Sequence, residues 1–217
     1  MNKKTIGWLI LGLVVLGAVG FAGYHIYQEN VIQSEKENKK ELNARLTDLY
    51  EDQTSGYFKA DISAEAFDEL ADEVKSQSGE SQTLEDIDQA KKNFKLQAEM
   101  NKLFEKDVLN GLDLSAHPVL KAPSEKDIKA LKAELEESSA KDKGWGQDIS
   151  MILGIAETQS KDFTNADADV SNLVNKGTSL TLTDYLEGVK TLAILPDGKF
   201  KEKLLGKLSP VSYTHLT

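Results

Sequence analysis

Apolar residues run without a fixed charge from Thr5 to Gln28, then thin to one every three or four positions. The first regime is that of a membrane span, the second that of amphipathic helices. Beyond Glu29, Ile32, Leu42, Leu46, Leu49 and Tyr50 recur at helical spacing and predict a stalk helix ending near Asp52. Thr54-Ser55-Gly56 predicts a turn. Ser63 is placed to cap a helix whose apolar face is Phe67, Leu70, Ala71 and Val74, with Ser76 to Gly79 breaking it. Thr83 with Asp86 has capping-box spacing ahead of Ile87, Ala90, Phe94 and Ala98, a helix expected to run to Phe104. Gly111 to Pro123 reads as a loop. Ser124 with Asp127 repeats the cap before Ile128, Leu131 and Leu135. Lys141 to Gly146 then turns the chain into a helix carrying Ile149, Ile152, Leu153 and Ala156. Val, Ile and Thr alternate over no useful length, so no strand is predicted. The expected fold class is all-α: a single N-terminal transmembrane helix followed by an extracytoplasmic helical bundle or bundles.

After Phe163 a similar pattern starts again. Val170, Leu173 and Val174 echo Leu46, Leu49 and Tyr50. Thr181 echoes Ser63, and Tyr185, Val189 and Leu192 echo Phe67, Ala71 and Val74. Asp197-Gly198 turns into a last helix with Phe200, Leu204, Leu205 and Leu208, which Pro210 is expected to end. Two related helical modules are one reading; two amphipathic hairpins without common origin share the same pattern. The expected organisation is a cytoplasmic stub over 1–4 and a transmembrane helix over 5–28. A stalk and extracellular bundle over 29–160 and a second, truncated helical module over 161–210 complete it. Residues 211–217, VSYTHLT, resemble the translation of a sequencing-library adaptor and fit nothing before them.

The apolar run is long enough, at 1.5 Å per residue, to cross a hydrocarbon core of about 30 Å. Trp8 lies near one end, Tyr24 and Tyr27 near the other, as in an aromatic belt. Lys3 and Lys4 precede it, and Glu29 and Glu35 follow. The positive-inside rule then places the N-terminus in the cytoplasm and the rest outside the cell membrane as a single-pass protein. A cleaved signal peptide is the alternative. Ala18-Val19-Gly20 is its nearest cleavage site, and the run is longer than a typical signal core.

Charge narrows the partners. The chain carries a net −10, and the part after Lys3 and Lys4 carries −12. Such a surface repels nucleic acid. There is no cysteine, so an exported region folds without disulfides, a habit common in Gram-positive exported proteins. His25, His117 and His215 are scattered, and no carboxylate stands at zinc-ligand spacing from any of them. Glu134, Glu136, Glu137, Asp167 and Asp169 read as solvated helix faces rather than a catalytic pair. Asn165 to Asp169 has a faint calcium-loop look but lacks the glycine and distal glutamate, so it reads as a helix start. No metal and no cofactor is expected. Lys143-Gly-Trp-Gly146 is the most distinctive local feature. Trp145 between glycines is either a core plug or an exposed ring that stacks on a sugar or peptide; it is the one candidate ligand contact.

Several stretches resemble one family. They are Gly23-Tyr-His-Ile-Tyr27, Leu46-Thr-Asp-Leu-Tyr50 and Phe67-Asp-Glu-Leu70, then Met100-Asn-Lys-Leu-Phe-Glu105 ahead of Gly111, and Asp148-Ile-Ser-Met-Ile-Leu-Gly-Ile155. Together with the span and acidic stalk, over about residues 6 to 160, they are similar to the mid-cell-anchored protein Z (MapZ) family of streptococcal division proteins. The resemblance is diffuse and carries no site motif. It implies an outer helical pedestal, a Ser-rich linker and a second, peptidoglycan-attaching domain, with a long cytoplasmic arm that binds the tubulin-like division GTPase. Here Met1 to Lys4 are all that precede the span, too short for that arm.

The expectation is a non-enzymatic, membrane-anchored extracellular scaffold linked to the cell wall, in division-site placement or envelope organisation. Its partners would be peptidoglycan or cell-wall and divisome proteins. Two other classes stay open: an extracytoplasmic ligand-binding or sensor module, and the tether of a missing catalytic domain.

Overall fold

The structure, a computed structural model, describes residues 36–76 and 81–213. The expected span over 5–28 lies outside the described residues, and no helix among them is long and apolar enough to cross a membrane. The chain divides into two units, Met1–Thr47 and Asp48–Thr217.

In the first unit, the described part of helix α1 starts at residue 36 and runs on to residue 48. Leu42 and Leu46, four apart, are its buried positions. The stalk helix therefore ends earlier than its apolar spacing implies. Tyr50 and Asp52 belong to a strand instead.

The second unit opens with a small hairpin, β1 (Tyr50–Asp52) and β2 (Tyr57–Phe58), which the all-α expectation missed. Its turn is legible in the residues. One Asp52 carboxylate oxygen accepts from the backbone N–H groups of Thr54 and Ser55, at 2.9 and 3.3 Å. Gly56 then takes φ +85°, where other residues are strained. Helices α2 (Ala64–Ser76) and α3 (Ser81–Lys102) follow. A second hairpin, β3 (Leu109–Asn110) with β4 (Asp113–Leu114), turns at Gly111, φ +60°. It sits in the connection to α4 (Glu125–Glu137). Helix α5 spans Gly144–Asn175, and a 3-10 turn at Gly177–Ser179 leads to α6 (Leu182–Ala193) and α7 (Lys199–Tyr213). Packing is serial: α2 on α3, α3 on α4, α4 on α5, then α5 on both α6 and α7. The described part is mostly helical, with two two-stranded sheets at its loops.

Several expected boundaries move. The division at 160/161 falls inside α5, one continuous helix, and residues 48–217 form one unit. The echo between halves breaks at the connections, since a hairpin precedes α2 where a 3-10 turn precedes α6. Thr83 is no cap: α3 is already helical at Ser81, Thr83 is buried, and Asp86 accepts from Gln82 Nε2 at 3.0 Å. Ser124 does occupy the cap position of α4, yet its hydroxyl donates to the Ala122 carbonyl. Asn165 to Asp169 lie in the interior of α5 rather than at a helix start. α7 continues through Pro210 to Tyr213. A proline's fixed φ suits a helix, and its cost there is one missing donor and a crowded carbonyl.

Candidate functional site

The Lys143–Gly146 motif explains itself once the neighbours are named. Trp145 is 0% exposed. Its indole Nε1–H donates to Gln97 Oε1 at 2.8 Å, and its backbone N–H donates to the Ser55 carbonyl at 2.9 Å. A buried indole needs such an acceptor, and Gln97 supplies it from the inner face of α3. The Phe58 ring meets the Trp145, Phe67 and Phe94 rings edge-on at 6.3, 5.9 and 5.5 Å, and Tyr50 stacks on Phe58 at 4.7 Å. The flanking glycines make room. A Cβ on Gly146 would stand 2.4 Å from the carbonyl oxygens of both Ala140 and Lys141, and one on Gly144 would stand 3.3 Å from the Tyr57 ring. Of the two readings of Trp145, the core plug is the one observed. The ring has no surface left for a sugar or peptide, which corrects its place as a candidate ligand contact.

Beside the plug, the Tyr57 hydroxyl donates to Asp148 Oδ2 at 2.6 Å. Burial, and then the Asp148 bond, push the Tyr57 phenol up to about 12. The hairpin after α1 is thus latched to the start of α5 by backbone, phenol and packing together.

Three amide side chains hold the connection between α3 and α4. Asn101 Oδ1 accepts from the N–H groups of Val108 and Leu109, while its Nδ2 donates to the Leu109 carbonyl. Gln97 Nε2 donates to the same carbonyl at 3.2 Å. Gln159 reaches from α5, accepting from Leu120 N–H and donating to the Pro118 carbonyl, both at 2.8 Å. Among the described residues, no side-chain nitrogen or oxygen sealed from solvent lacks a partner. His117 lies exposed in this connection; His25 and His215 fall outside the described residues.

The acidic residues singled out in the sequence are spread apart. Glu134, Glu136 and Glu137 are exposed on α4, Asp169 is exposed on α5, and Asp167 pairs with Lys207 at 2.5 Å. Nothing in the sequence pattern pointed to Glu157, whose carboxyl is drawn down to about 2 by hydrogen bonds from Lys132 and Lys161. Among the described residues no three His, Cys, Asp or Glu side chains stand together as metal ligands.

Two of the grooves along α4 bring charged side chains together. One, of about 370 Å³, lies between α3 and α4 and is lined by Gln89, Lys92, Asn93, Lys95, Leu96, Glu134 and Glu137. The other, of about 320 Å³, lies between α4 and α5 and includes Glu125, Glu157, Ser160 and Lys161. The expected apolar face of α3 is Ile87, Ala90, Phe94 and Ala98; Ile87 and Ala90 are buried, while Phe94 and Ala98 are half-buried. The buried positions are Thr83, Ile87, Ala90, Asn93, Leu96, Gln97 and Met100. The available signal was two amides, Asn93 and Gln97, four apart within an apolar stripe. No family model, curated protein or solved structure matches this chain.

Proposed function

We propose that the chain is a non-enzymatic scaffold of the cell envelope, anchored by residues 5–28 with its helical body outside the membrane and associated with the cell wall. The observation that carries the reading is the uncharged apolar run, with Lys3 and Lys4 before it and Glu29 and Glu35 after it. An acidic helical body follows directly. Its interior supports a scaffold role: Gln97, Asn101 and Gln159 are each spent on fixing a loop or the Trp145 plug. Groups kept for chemistry stand instead in a cleft with split proton affinities. The resemblance to the mid-cell-anchored protein Z family adds division-site placement as the specific role.

The test uses the full chain expressed in a Gram-positive host with a fluorescent protein fused ahead of Met1. External protease added to intact protoplasts should degrade the region beyond the span and leave the fusion intact. Fluorescence should gather at division sites. Full protection of the body in intact protoplasts would overturn the topology. Uniform membrane fluorescence with an exposed body would overturn the division role alone.

A further inference from the structure

We infer that the groove between α3 and α4 is a binding site for the free amino end of a short peptide. Its free ammonium lies against Glu134 and Glu137, and the adjoining peptide carbonyl meets the Asn93 amide N–H and Lys95.

Asn93 is 6% exposed on the inner face of α3. Its Oδ1 accepts from Ser138 Oγ at 2.8 Å and from Gln89 Nε2 at 3.2 Å. Ser138 is itself fixed, accepting from Ala140 N–H at 3.0 Å. Two donors on one oxygen set the orientation of the amide, with its nitrogen as the end left over. That nitrogen has no acceptor among the described residues. Among the described residues no sealed polar side-chain atom is left unpaired, so the nitrogen is not sealed, and Asn93 lines the groove. A nearly buried donor without a protein acceptor costs free energy unless water or a ligand meets it.

The walls supply opposite charges. Glu134 and Glu137 lie in the last turn of α4, which holds no basic residue. The carbonyl end of a helix adds to their attraction for a cation. Across the groove, Lys92 is paired with Asp88 at 2.7 Å and also feels Glu137, whereas Lys95, whose charge acts on Asp68, has no carboxylate within 4.0 Å among the described residues. Leu96 gives the floor an apolar surface. A simple anion is repelled by the acidic body, and a simple cation leaves Asn93 and Lys95 unused. A peptide's amino end, an ammonium next to a carbonyl acceptor, engages both walls. The volume of about 370 Å³ is in the range of small-ligand sites. Peptides with free amines occur in cell-wall fragments and as free oligopeptides. The groove reading stands on its own geometry and does not rest on the wall reading.

The test is side-chain amide NMR of the full chain in nanodiscs, titrated with trialanine, N-acetyl-trialanine, or a soluble muropeptide bearing a free amine. Saturable movement of the Asn93 Nδ2 signal with a free-amine probe supports the site. Movement with the muropeptide alone assigns the wall as source, and movement with trialanine alone assigns free peptide. Acetylation, and the double variant Glu134→Gln with Glu137→Gln, should each weaken binding about tenfold or more. Both glutamates are exposed, so that variant keeps its fold. The proposal is overturned by no movement at Asn93 up to about 10 mM of either free-amine probe. Equal affinity for the acetylated peptide, or for the double variant, overturns it as well.

Discussion

The two ends of α5 are built from the same kind of amphipathic helix and closed in different ways. At its start, Trp145, Phe58, Phe67 and Phe94 interlock edge-on or tilted, and Gln97 meets the single polar atom of the indole. At its far end, α6 and α7 cover it with Leu192, Leu204 and Leu208, and Phe163 stacks on Phe200 at 4.5 Å. The far end also leaves apolar surface in water: Ile194 is 78% exposed, Leu182 63% and Leu186 49%. Aromatic pairs contribute about 0.5–1.5 kcal/mol each beyond the area they bury, and they cluster at one end. Stability is therefore concentrated where α5 meets the first hairpin. The α6–α7 hairpin is the part expected to open first, and its amides should exchange with solvent faster than those of α3.

The comparison breaks or holds on Trp145. Trp145→Ala should cost about 3–5 kcal/mol in urea unfolding followed by circular dichroism. It empties the largest buried side chain and strands Gln97 Oε1 without its donor. A cost no larger than that of a lost helix cap would end the claim that the hairpin end is the anchor of the fold. Gly146→Ala ranks next, at about 1–3 kcal/mol. The added methyl meets two backbone carbonyls at 2.4 Å, and backbone yields less readily than a side-chain tip.

These two residues also show what the sequence could and could not say. Helices were legible wherever apolar spacing was regular: Phe67, Leu70 and Val74, then Ile128, Leu131 and Leu135, all point inward as spaced. The hairpins were not, because two- and three-residue strands are too short to alternate. The turn inside the first hairpin was readable from Thr54-Ser-Gly56, but nothing local says that its flanks pair. Capping signals divided by context. Thr181 and Asp184 form a true capping box, while Thr83 with Asp86 has the same spacing inside a helix that begins earlier. Trp145 was singled out by composition, and its role was not, since burial depends on Phe58 and Gln97, about fifty to ninety positions away. Asn93 hid for the converse reason: an amide in an apolar stripe reads as a break in the stripe until its partners Ser138 and Gln89 are known.

At the far end the capping box sharpens the comparison on a smaller scale. Thr181→Ala should cost about 1 kcal/mol, with the loss confined to α6 amides in hydrogen exchange. Asp184 adds a pH signature. Its carboxyl is drawn from 3.8 down to about 2, first by Lys176 and then by the Thr181 backbone and hydroxyl. A depressed folded value means that the stabilisation is complete above the unfolded value and disappears as pH falls through the folded one. The window is therefore pH 4 down to about 2. Melting curves across it should fall less steeply for Asp184→Asn than for the parent. Part of the slope must survive, because Glu157 titrates in the same range. An unchanged slope would mean that the Lys176–Asp184 pair at 2.6 Å does not persist in solution.

The smallest effect is the most pointed test of the far end. Leu186 is 49% exposed on α6, so Leu186→Lys removes apolar surface that water already reaches. A surface change of this kind should move unfolding by no more than about 0.5 kcal/mol. Lysine also keeps good helix propensity, so the backbone of α6 is undisturbed. The contrast with Trp145→Ala should then be several-fold, from two large side chains on one compact unit. A loss above about 1 kcal/mol would show that the Leu186 face is covered in solution. The apolar surface on α6 would then be part of a core, and the asymmetry between the two ends of α5 would vanish.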